Sequence, residues 1–90
     1  MVQKTVIVTN PLGIHARPAT LLVQSAARFA ADIYLSKGDI QRINGKSIMG
    51  VMMLAASQGT SIRLEAEGED AEAALDALEE LINNRFGEEE

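Results

Sequence analysis

Residues 60–82 read TSIRLEAEGEDAEAALDALEELI, and the hydrophobic period changes inside that stretch. From 60 to 68 apolar and polar residues alternate. Ile62, Leu64 and Ala66 point one way, and Arg63, Glu65 and Glu67 the other. That is a strand with one wet face. Asp70 then opens a helix, and Glu72 sits favourably in its first turn. Ala71, Ala74, Leu75, Leu78, Leu81 and Ile82 form a single apolar stripe. A half-wet strand followed by a one-faced helix calls for two layers, with helices on one side of a sheet.

The rest of the chain fits that frame. Residues 2–9, VQKTVIVT, are β-branched and mostly alternating, a strand closed by the turn residues Asn10-Pro11-Leu12-Gly13. Residues 16–30 form a helix with Ala19, Leu22, Val23, Ala26 and Ala30 on its apolar side. Residues 32–36 and 40–44 are strands joined by Lys37-Gly38-Asp39, and Asn44-Gly45 ends the second. Residues 48–55 make a short apolar helix that stops near Gly59. The expected fold is α+β, a two-layer open-faced β-sandwich in the order β-α-β-β-α-β-α. Its four-stranded, mainly antiparallel sheet carries three helices on one face.

The chain has 90 residues, so the expectation is one domain over 1–90 with an acidic tail at 87–90. A net charge of −5 argues against direct nucleic-acid binding, which needs clustered cations. There is no cysteine and one histidine, so neither a disulfide nor a metal site is expected, and no cofactor is implied. No apolar run approaches the ~18 residues of a membrane span, and the start lacks a signal pattern. The expected location is the cytoplasm.

The lone histidine lies in GIHARPAT, residues 13–20. Gly13 permits a turn just before it, and His15 falls at or beside the N-cap of the first helix. The amides of Ala16 and Arg17 have no intrahelical partner, and Pro18 has no amide to lose. The helix dipole adds partial positive charge at the same place. An imidazole here is a nucleophile at the mouth of an anion cradle. If it takes a phosphoryl group, Arg17 and the helix amides stabilise the charge that arrives. Ser–His catalysis is not indicated, because nothing marks an orienting carboxylate or an oxyanion hole. A self-contained phosphatase is discounted too, since no metal or general acid is marked to give turnover.

KSIMGVMML, residues 46–54, is the second motif. Ser47 is well placed as an N-cap. On a helical period Val51 and Leu54 share one side, leaving Met49, Met52 and Met53 opposite or flanking, with Ile48 at the boundary. In the first helix, Leu21 lies off the apolar stripe, on the side of Arg17, Gln24 and Arg28. Exposed Met and Leu beside a nucleophile suit a surface that must fit several partners.

GIHARPAT together with KSIMGVMML resembles HPr, the histidine-containing phosphocarrier family of the bacterial phosphoenolpyruvate-dependent sugar phosphotransferase system. The resemblance spans essentially the whole chain. It implies that His15 accepts phosphate from phospho-enzyme I through Nδ1 and passes it to IIA units of sugar permeases. The protein would then be a stoichiometric carrier and not an enzyme. Arg17, with Ala16 and Pro18 at the helix start, would hold the phosphate, and Thr20, Leu21, Gln24, Ile48, Met49 and Met52 would dock partners. In Gram-positive-type members a serine in the second motif is phosphorylated by an HPr kinase/phosphorylase and acts with a catabolite-control transcription regulator, which implies Ser47 here. A monomer is expected. Alternatives are a carrier of the nitrogen-related branch and a regulatory module acting through phospho-Ser47. Leu12 departs from the polar residue that several members carry before the glycine.

Overall fold

Strand β1 (Val2–Ile7) lies at one edge of a four-stranded sheet, and its partner is the last strand made. The computed structural model describes residues 1–87, so Glu88, Glu89 and Glu90 of the expected acidic tail lie outside the described residues. After β1 come α1 (Ala16–Ala27), β2 (Asp32–Lys37), β3 (Ile40–Asn44), α2 (Ile48–Met53), β4 (Ser61–Glu67) and α3 (Ala71–Asn83). A 3-10 turn, Arg85–Gly87, follows α3. The sheet order is β1-β4-β2-β3, and every pairing is antiparallel.

The alternating residues behave as the period requires. Ile62, Leu64 and Ala66 of β4 are fully buried beneath the helices, as are Ile33 and Leu35 of β2. The α3 stripe of Ala74, Leu75, Leu78 and Ile82 closes over them, and Ala19, Leu22 and Ala26 do so from α1. Val51 and Leu54 seat α2 on the same cluster. Each large aliphatic side chain buried here contributes about 1.5–3 kcal/mol from removal of apolar surface.

Several expectations are corrected. Helix α1 ends at Ala27, three residues early, and Ala30 is exposed in the corner leading to β2. The amides of Ala30 and Ala31 donate to the two carboxylate oxygens of Asp70, at 2.8 and 2.9 Å. Asp70 is thus the N-cap residue of α3 by position, but its side chain does not cap that helix. Leu81 is only half-buried. Glu65, expected in solvent, is 5% exposed although it lies on the open face of the sheet. Gln3 donates to its Oε2, and the Arg42 and Arg63 guanidiniums stand 3.5 and 4.0 Å from its Oε1. The long cross-strand side chains cover a short carboxylate that alternation alone places in water.

Candidate functional site

Between β1 and α1 the chain makes a tight loop whose shape is fixed from two sides. The Asn10 side-chain amide donates to the Gly13 carbonyl at 2.6 Å, and the Gly13 amide donates back to the Asn10 carbonyl at 3.0 Å. Gly13 has φ +70, and a Cβ there would run into the carbonyl of Ala56 and to within 2.8 Å of Ser57 Cα. Only glycine combines that backbone with that approach. The Ile14 amide then donates to the Ala56 carbonyl at 2.8 Å, which pins the loop to the segment after α2.

His15 follows directly, in extended conformation (φ −91, ψ −164), as the N-cap residue of α1. Its side chain does not cap the helix; its carbonyl accepts the first helical bond, from the Ala19 amide at 2.9 Å. Pro18 is buried and has no amide. The Ala16 and Arg17 amides have no partner among the described residues, and both residues are exposed. The imidazole is half-buried. Arg17 makes no ion pair with a described residue. The imidazole, two amides and a guanidinium without partners among the described residues, and the positive helix end therefore occupy one end of α1, an arrangement that suits an incoming phosphoryl group. No group of three or more metal-ligating side chains occurs among the described residues.

Further along α1, Thr20 and Gln24 are exposed, and the Thr20 hydroxyl donates to the Ala16 carbonyl at 2.9 Å. Leu21 differs from expectation. It is half-buried against the core and lines an open groove with Gln24, Arg28, Leu81 and Phe86. Phe86 reaches this groove because the 3-10 turn brings its ring in beyond α3, a position that no sequence period announces.

Ser47 is the N-cap residue of α2, and its Oγ accepts from the Gly50 amide at 3.1 Å. Met49, Met52, Met53 and Ile48 are 72, 44, 66 and 38% exposed, so four of the six residues of this short helix present apolar side chains to solvent. Leu12, at 74%, adds another beside the His15 loop. The two helices pack with opposite polarity. Ala56, after α2, touches the start of α1, while the Lys46 ammonium, before α2, donates to the Phe29 carbonyl beyond the end of α1. Ser47 thus lies toward the far end of α1 from His15, with the exposed methionines between the two ends. Asn10 and Lys46 were not singled out by sequence reasoning. Asn10 had a signal, an Asx side chain three residues before a glycine; Lys46 had none, because its contact is with residue 29.

The family model described as "PTS HPr component phosphorylation site" matches residues 2–84. The phosphocarrier protein HPr of Treponema pallidum is 54% identical over 99% of this chain and 100% of its own length. The crystal structure of HPr from Thermoanaerobacter tengcongensis superimposes with a TM-score of 0.93 at 47% identity, covering 100% of both chains. Crh, the Bacillus subtilis catabolite repression containing protein, was solved as a domain-swapped dimer. It matches at TM-score 0.73 and 46% identity over 94% of this chain and 97% of its own. With its motifs, its sheet order and its whole length all in agreement, the chain belongs to the HPr family of phosphocarrier proteins of the phosphotransferase system.

Proposed function

We propose that His15 is the residue that carries the phosphoryl group, received from phospho-enzyme I and delivered to IIA units of sugar permeases. The observation that supports this is its place at the α1 entrance, beside the Ala16 and Arg17 amides and the Arg17 side chain, none of which has a partner among the described residues. In the transfer a neutral ring nitrogen attacks phosphorus, the new P–N bond forms and the bond to the donor breaks. The phosphoryl oxygens then face the two amides and the guanidinium. Family resemblance assigns Nδ1 as the nitrogen. The phosphoryl group leaves with the next partner, so the protein is consumed and regenerated as a carrier.

Thr20, Leu21, Gln24, Ile48, Met49 and Met52 form the surface on which donor and acceptors dock. The exposed methionines support that role, since unbranched thioethers adapt to more than one partner. Ser47 is a regulatory phosphorylation site for an HPr kinase/phosphorylase, linked to a catabolite-control transcription regulator; the likeness to Crh favours this reading. The carrier works in the cytoplasm as a monomer of one domain.

Phosphoenolpyruvate and enzyme I should add one phosphoryl group, labile in acid and stable in base. His15→Ala should abolish it; histidine-type labelling that persists in that variant overturns the assignment. Incubation with ATP and an HPr kinase should label wild type and not Ser47→Ala. Light scattering after gel filtration reads the monomer directly, and a dimer there contradicts it.

A further inference from the structure

We propose that Lys46 is the counter-ion of a phosphate on Ser47, and that it answers that phosphate by releasing the corner that follows α1. This rests on the Ser47 reading above and names the residue through which the modification is felt. Lys46 is committed elsewhere when Ser47 is unmodified. Its ammonium donates to the Phe29 carbonyl at 2.8 Å, in a half-buried position. That carbonyl belongs to the corner between α1 and β2, where Asp70 holds the next two amides. The corner is therefore gripped by one cation and one anion, from the starts of α2 and α3. The backbone under Lys46 is fixed independently. Its amide donates to the Asn44 side-chain oxygen at 2.9 Å, and the Gly45 amide donates to the Ile33 carbonyl at 2.8 Å. Only the flexible stem of Lys46 is free to turn.

A phosphoserine at 47 brings about −1.5 to −2 charges at pH 7 to the adjoining residue. The competitors for the ammonium are a neutral carbonyl and, through space, the single charge of Asp70; an adjoining dianion prevails over them, because charge-assisted bonds are roughly twice as strong as those to neutral acceptors. The ammonium turns to the phosphate, the Phe29 carbonyl goes to water, and Asp70 alone holds the corner. A charge at Ser47 is thereby registered at the end of the helix whose other end carries His15.

The test installs phosphoserine at position 47 by nonsense suppression, so it needs no kinase, and a failure to find Ser47 labelled by a kinase would leave its result intact. Two signals are followed by NMR. The Ala30 amide shares a peptide plane with the Phe29 carbonyl, so its resonance reports that carbonyl. Phosphoserine should move it toward its position in Lys46→Gln, and should move it little further in that variant. The phosphate's own titration, near pH 6, should rise by a few tenths of a unit in Lys46→Gln and return in Lys46→Arg. The proposal is overturned if phosphoserine leaves the Ala30 resonance in place, shifts it equally with and without Lys46, or titrates identically in all three backgrounds.

Discussion

Arg17 projects from the first turn of α1 without an ion-pair partner among the described residues, which leaves its charge available to an arriving phosphate. If it stabilises charge that develops during transfer, Arg17→Ala should lower the single-turnover rate on the order of 10²–10³-fold with a smaller effect on partner affinity. Arg17→Lys should restore little, because a fork is replaced by a point charge. Rapid-quench measurements with phospho-enzyme I separate the two quantities. Gly13 acts on the same site from behind. Gly13→Ala forces a side chain into the Ala56 carbonyl at a left-handed backbone, so it should cost about 1–3 kcal/mol; Ile14 amide exchange should rise, because its bond to Ala56 is what the intrusion breaks. At this scale the N-cap positions of His15 and Ser47 were legible, since each stands in a short motif whose signal is local. The Asn10 clamp and the Lys46 contact were not, because their meaning lies in partners brought near by folding.

Helix spacing was legible and helix ends were less so. Apolar periodicity placed all three helices, yet α1 stops at Ala27 because the chain must turn there and deliver two amides to Asp70. Those amides, Ala30 foremost, hold the Asp70 carboxyl below its ordinary value of 3.8. A depressed carboxyl contributes stability that is present above its unfolded value and is lost as pH falls through the folded one. Asp70→Asn should therefore lower the melting temperature at neutral pH and flatten its fall in acid. Thermal scans from pH 7 to pH 2 check both. Lys4 has the opposite sign. Its bonds to Glu79 and Asp76 raise it above 10.5, so its contribution is lost as pH rises through the folded value.

For the molecule as a whole, one alternating strand and one striped helix were enough to give two layers, because a sheet with a wet face has one side left to cover. Glu65 escaped that logic: its burial depends on Gln3, Arg42 and Arg63 reaching over it from elsewhere in sequence. Leu78 is fully buried, and Leu78→Ala should cost about 2–5 kcal/mol by equilibrium denaturation. Ser47→Asp tests how the two motifs share a surface. With His15 and Ser47 at opposite ends of the exposed methionine face, a partner spanning that face meets the new charge. Transfer from phospho-enzyme I should slow about tenfold, equivalent to 1.4 kcal/mol, while the melting temperature stays near wild type. Equal transfer rates would separate the two surfaces, and a melted variant would place the effect in the fold.

The order β1-β4-β2-β3 also sets a clock on the protein's birth. Among the described strands β1 pairs only with β4, the last of them to be synthesised, and the loop before His15 is latched by Ala56 and by the Val8–Thr60 bond. At ~5–20 residues per second, β1 waits roughly 3 to 12 s for its neighbour to be synthesised. Throughout that interval the histidine is already translated but has no cradle. If His15 carries the phosphoryl group, a nascent chain should be mute to the relay until β4 has emerged, and a pulse of labelled donor given to stalled ribosomes should mark only chains long enough to have closed the sheet.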